Sequence, residues 1–271
     1  LAEAQGVKVF WFFFSKKNCL LSAFVNTPTR ALSRTEASAL QPGEQHYSAY
    51  VGPPALYDLM GASQFRLLTA LGLRERHRLL DFGCGSLRAG RLFLPYLLPG
   101  HYHGIEPNAW LVADAIAAEV GEAQIALKQP RFSHNGDFAT DVFGVTFDFI
   151  LAQSILSHTG RDLCKRLLGN FAGSLAETGL ALATFVHVGS MGLAQETDAN
   201  GWIYPACVAY HPETVLAQIR AAGLCGLWLP WFHPSQQWYA MAKSPKYLPP
   251  RAKFPHLSGA VLTAGEFAAS S

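Results

Sequence analysis

No two cysteines in this sequence are spaced as CxxC, and the five present (Cys19, Cys84, Cys164, Cys207 and Cys225) are odd in number and scattered. That pattern argues against a disulfide framework or a zinc site and favours small buried thiols in a reducing compartment. The ten histidines are equally dispersed. His101 and His103 flank Tyr102 with no third ligand nearby and read as strand residues, so no metal is expected. Charge is also scarce, at 15% of residues with a net +2. This balance carries no strong nucleic-acid signal. Long apolar runs are missing too. Val7 to Phe14 is interrupted by Lys8 and followed by Lys16 and Lys17, too short for a membrane span and without a signal-peptide pattern. No other stretch suggests a membrane span and no internal repeat is visible, so a soluble, cytoplasmic protein is expected. The chain opens on Leu1 with its first methionine at Met60, which points to a native start that is missing or processed.

What is present is a large reserve of core material. Half of the 271 residues are hydrophobic, enough for one large domain. Residues 1–45 contain a Ser-, Thr-, Pro- and Ala-rich lead-in and are expected to be a mobile extension. Residues 46–243 carry the periodic pattern of the domain, and residues 244–271 open on a proline cluster and read as an appended tail.

Within the domain, Pro54 to Leu73 has apolar residues at helical spacing. Strand-like runs then alternate with helices: His77–Phe82, Tyr102–Glu106 and Ala109–Glu119, Phe147–Ala152 and Arg161–Leu175, and Gly179–Val186. That rhythm predicts an α/β fold, a parallel sheet covered by helices on both faces. After a helix at Pro212–Ala222, the runs Leu227–Phe232 and Gln237–Ala242 are joined by only four residues. Such a connection is too short for a helical crossover and predicts an antiparallel pair.

The chemistry concentrates in HRLLDFGCGSLRAGRLF, His77 to Phe93. A strand feeds Gly83 and Gly85, which allow a sharp turn with no side chain over the backbone. The helix expected to follow would offer unpaired amides and a positive dipole end to a carboxylate or phosphate. Glu106, at the end of the next strand in HYHGIEPN, is placed to reach ribose hydroxyls. A dinucleotide fingerprint wants a third glycine where this chain has Arg88. Asp81, just before the turn, instead suits a ligand carrying an ammonium and a sulfonium.

LLDFGCGS, IEPN and FDFILAQSILSH resemble the successive cofactor motifs of class I S-adenosylmethionine (SAM)-dependent methyltransferases, over roughly Tyr57 to Lys243. The resemblance implies a three-layer α-β-α sandwich with a mostly parallel seven-stranded sheet ending in an antiparallel hairpin. It implies SAM as cofactor, with Asp81, Gly83 and Gly85 lining its methionine part, Glu106 on the ribose and Pro107 beside the adenine. Asp137 and Phe138, after the third strand, would contact adenine, the other reading being an Asn-Gly-Asp surface turn. Gln153 and Ser154 would lie over the cofactor edge.

His158, just past the fourth strand, is the candidate catalytic base, with a helix-capping or core role as the alternative. Trp202, Tyr204 and Tyr210 either line an acceptor pocket or pack in the core. After strand four there is no Asn/Asp-Pro-Pro-aromatic motif and no Pro-Cys nucleophile; Cys207 lies in YPACV, in the wrong place for one. A small-molecule acceptor is the default expectation, with a protein or lipid acceptor left open. An NAD(P)-dependent oxidoreductase and a non-catalytic methyltransferase-like binding domain are the alternatives.

Overall fold

The computed structural model describes residues 32–258, so the apolar run Val7–Phe14, Cys19 and the end of the tail lie outside the described residues. Two short helices come first, α1 (Arg34–Ala37) and α2 (Tyr47–Tyr50), followed by α3 (Tyr57–Ala70). Then come β1 (Leu79–Phe82), α4 (Gly90–Tyr96), β2 (Tyr102–Ile105), α5 (Ala109–Ala115), α6 (Glu122–Lys128) and β3 (Arg131–Ser133). The second half holds β4 (Phe147–Ala152), α7 (Arg161–Ser174), β5 (Leu175–Phe185), α8 (Pro212–Ala221), β6 (Cys225–Leu229), β7 (Gln237–Ala242) and α9 (Phe254–Ser258).

The seven strands form one sheet in the order β3-β2-β1-β4-β5-β7-β6. Neighbours from β3 through β5 run parallel, while β7 is antiparallel to both β5 and β6. The expected terminal hairpin is thus present, with its second strand inserted between β5 and β6. Chain order reverses between β1 and β4, which opens a crevice at the carboxyl ends of those strands.

β1 is buried along its whole length, as an apolar central strand covered on both faces must be. Leu79 shares a core layer with Leu67, Leu68 and Phe93, from α3 and α4. Leu80 and Phe82 join Leu167, Leu168 and Phe171 of α7 in the layer on the opposite face. The result is three layers, helices on each side of the sheet.

Three features depart from the sequence reading. First, α4 does not follow the glycine turn directly. Residues 85–89 form turns, Leu87 holds a φ of +53°, and the helix starts only at Gly90 and lasts seven residues. The helical periodicity is real, but the left-handed Leu87 interrupts it.

Second, residues 32–45, expected as mobile, begin with a helix whose N-cap Ser33 forms a capping box with Glu36. Arg34 ties this segment to Asp58 at 2.6 Å and to Glu119 at 3.3 Å. Third, the proline-rich tail packs against the domain as far as Ser258: Leu257 is buried, and Tyr247, Leu248 and Phe254 rest on the layer under α3 and α4. Composition hid both attachments, because each depends on a few anchors and not on a periodic face. No helix among the described residues is long and apolar enough to cross a membrane.

Candidate cofactor and acceptor site

The crevice is built around the turn after β1. Gly83 and Gly85 have φ of +72° and +53°, a region where side-chain-bearing residues are strained. Gly83 and Cys84 donate their backbone N–H groups to the Ile105 carbonyl at 2.8 and 3.1 Å, fastening the turn to the end of β2. A Cβ on Gly85 would stand 2.7 Å from Val51 Cγ1, and one on Gly83 would meet the tip of Ile155. Both glycines are therefore demanded by close packing as well as by conformation.

Glu106 crosses this turn. Its Oε2 accepts from the Gly85 N–H at 3.2 Å, and its Oε1 accepts from the backbone N–H and the side-chain amide of Asn108 at 2.9 and 2.8 Å. The carboxylate is almost fully buried, yet two oxygens with about four lone-pair sites retain capacity for further donors. His134 donates from Nδ1 to the Glu106 carbonyl at 2.7 Å and fixes the backbone there.

Asp81 is buried and accepts from the Tyr102 hydroxyl at 2.7 Å. Burial pushes its carboxyl up to about 6, against the pull of that hydrogen bond. Arg88 lies on the same turn segment and donates from Nη1 to the Val51 carbonyl at 3.0 Å. Pro107 is exposed at the end of β2. The neighbouring Trp110 packs edge-on against Tyr50, with ring centroids 5.2 Å apart.

Asp137 is exposed, and its Oδ1 accepts from the Ala139 N–H at 3.1 Å and from the Asn135 side-chain amide at 2.5 Å. The Asn-Gly-Asp segment thus has the hydrogen bonding of a surface turn. That turn presents Phe138, with φ +65°, to Phe82 at 6.1 Å and Trp202 at 5.6 Å. Gln153, at the end of β4, is buried, and its Oε1 has no hydrogen-bond partner among the described residues. Ser154 donates its N–H to Thr184 Oγ1 at 2.8 Å and accepts at Oγ from Gln236 Nε2 at 2.9 Å.

His158 sits in a short turn after β4. Its Nδ1 lies 2.7 Å from the Ala206 carbonyl. A carbonyl only accepts, so Nδ1 carries the hydrogen and Nε2 of the neutral ring carries a lone pair. Burial lowers the pKa, opposed by the Ala206 hydrogen bond, and holds the ring neutral below the usual histidine range. Trp202 and Tyr204 meet its ring edge-on at 5.5 and 5.0 Å, and both remain substantially exposed, at 45% and 42%. Tyr210 is different: it is wholly buried and donates to the Thr159 carbonyl at 3.0 Å. It is a core residue.

Sequence reading passed over the contribution of Tyr50 and Val51. These residues, which approach Trp110 and Gly85, had no motif to mark them. Asn108 was visible within IEPN, and its amide beside a buried acid was a usable signal.

Residues 80–181 match the family model described as a methyltransferase domain. No curated protein matches the sequence significantly. Among solved structures, the magnesium protoporphyrin IX methyltransferase of Synechocystis PCC 6803 with bound S-adenosylhomocysteine (SAH) superposes with a TM-score of 0.52 at 14% identity, over 70% of this chain and 84% of that one. The DhpI–SAH complex gives 0.54 at 16% identity, over 78% and 93%. The glycopeptide N-methyltransferase MtfA complexed with SAM gives 0.52 at 11% identity, over 68% and 94%. At such identities these structures establish the shared fold. The sequence match and the sheet order agree: residues 80–181 are similar to a methyltransferase domain, and the fold is one shared with solved methyltransferases.

Proposed function

We propose that this domain transfers the methyl group of SAM to a small-molecule acceptor bound beside His158, Trp202 and Tyr204. The observation that carries this reading is the Glu106 carboxylate, buried and held across the Gly83–Gly85 turn by the Gly85 N–H and by Asn108. An acid in that place, beside a turn that excludes side chains, fits a nucleoside ribose. Similar folds that hold SAM or SAH support the same cofactor here.

In this reading Glu106 would bind the ribose hydroxyls, and Pro107, Asp137 and Phe138 would border the adenine. Asp81, Gly83 and Gly85 would face the methionine part, with Gln153 offering its unpaired oxygen at the end of β4. SAM, when bound, supplies a methyl group already activated by its sulfonium. The protein's task is then chiefly alignment, which is able to supply about 7–11 kcal/mol. The exposed rings of Trp202 and Tyr204 would hold a flat acceptor face against the site. His158 would take the acceptor's proton at Nε2, because Nδ1 is committed to Ala206 and burial disfavours the charged ring. A positioned base of this kind contributes about 10²–10⁴-fold.

Incubation with isotopically labelled SAM and a metabolite extract, followed by identification of the labelled product, tests the activity. Calorimetry should show SAH binding and no comparable response to NAD(P). Folded protein that binds no SAH would overturn the proposal.

A further inference from the structure

From the sequence, a helix N-terminus suited to a carboxylate or phosphate was expected just past the glycine turn. The structure moves that helix away: α4 begins at Gly90 and is only seven residues long. The segment in between carries Arg88. Its guanidinium has five N–H donors, yet among the described residues it makes one hydrogen bond, to the Val51 carbonyl.

Two other arginines are paired. Arg34 and Arg91 each contact both Asp58 and Glu119. Arg88 reaches no carboxylate within 4 Å among the described residues, although Asp81 is near enough for each charge to affect the other's ionisation. Burial lowers the Arg88 pKa to about 10, which leaves it protonated at neutral pH.

A half-buried cation and a buried carboxylate therefore flank one turn without forming an ion pair. This arrangement complements a zwitterion, which brings one charge of each sign. A guanidinium also matches a carboxylate in shape, since its forked donors bind both oxygens.

We propose that Arg88 binds the α-carboxylate of the methionine part of SAM, while Asp81 serves its ammonium. The inference rests on the SAM reading above and adds a residue that the motif resemblance did not assign.

The test compares two ligands. SAH carries the amino-acid end, and 5′-methylthioadenosine has the same nucleoside and sulfur but lacks it. Calorimetric titrations would use wild-type protein, Arg88→Met and Arg88→Lys. Methionine roughly preserves the length of the side chain and removes a half-buried charge that has no ion-pair partner among the described residues.

Arg88→Met should weaken SAH by about 10- to 100-fold, as expected for a lost hydrogen bond to a charged group. Its affinity for methylthioadenosine should stay within about twofold. Arg88→Lys keeps the charge without the fork, so its SAH affinity should fall between the other two. Equal weakening of both ligands in both variants would make Arg88 a structural strut for Val51 and overturn the inference. Unchanged SAH binding in Arg88→Met would overturn it as well. If wild-type protein binds neither ligand, the SAM reading itself fails, a result distinct from the other two.

Discussion

The backbone N–H of Gly85 donates to the carboxylate of Glu106 at 3.2 Å, joining the turn after β1 to the end of β2 across 21 positions of sequence. The acid is thereby oriented by the protein itself, so the ribose contact proposed for it would need no rotamer search. Glu106→Ala should weaken SAH binding by about 10- to 100-fold, the range for hydrogen bonds to a charged group. Titration calorimetry reads this directly, and an unaltered affinity would remove Glu106 from the cofactor site.

Asp81 should behave as a residue kept for function at a cost in stability. Burial raises its pKa from 3.8 to about 6, so the folded state holds the proton more tightly than the unfolded chain. Its contribution to stability is present in full below 3.8 and is lost as the pH rises to about 6. Asp81→Asn should therefore raise the melting temperature of the ligand-free protein at pH 7.5, a gain on the order of 2–3 kcal/mol. The gain should vanish near pH 3.5, and SAH should bind more weakly. A variant less stable at pH 7.5 would contradict this account.

His158→Gln should lower kcat toward the identified acceptor by about 10²–10⁴-fold and leave SAH affinity intact. Because burial depresses the imidazole pKa, the acidic limb of the wild-type pH–rate profile should fall below the ordinary histidine value of about 6.5. A fully active variant, or a limb above that value, would exclude His158 as the base.

Glu119 should govern the attachment of the N-terminal segment. It accepts from the Tyr47 hydroxyl at 2.7 Å and lies 3.3 and 3.2 Å from Arg34 and Arg91. Those two guanidinium groups also lie over the Tyr57 ring, at 4.9 and 5.1 Å from its centroid. Partly exposed pairs contribute about 0–1 kcal/mol each, so Glu119→Ala should lower the melting temperature by only a few degrees. The larger effect should appear in limited proteolysis, as faster cleavage within residues 32–50 of otherwise folded protein. Cleavage at the wild-type rate would show that the segment is held by its apolar contacts alone.

The fold was largely legible in the sequence because its signals are local. Leu79, Leu80 and Phe82 form an apolar run that ends at glycine, and the four-residue link before Gln237 left no room for a crossover. Gly83, Gly85 and Glu106 stood out as candidates because backbone geometry and a strand end confine them. His158 was a candidate by type and place alone; its tautomer appeared only when Ala206, 48 positions away, came within hydrogen-bond reach. Asp137 shows the reverse case. Its motif position suggested a ligand contact, while its hydrogen bonds are local ones within the surface turn.

By itself, then, the sequence determined the alternating α/β architecture, the terminal hairpin and the glycine turn with its acid. Each follows from periodicity, chain length or backbone freedom, properties that neighbouring residues share. Only the tertiary structure decided that α4 starts late, that Val51 packs against the glycine turn, and that Arg88 stands there without a carboxylate partner among the described residues. A counter-ion is a matter of distance in space, and Asp58 and Glu119 chose other arginines once the chain had folded.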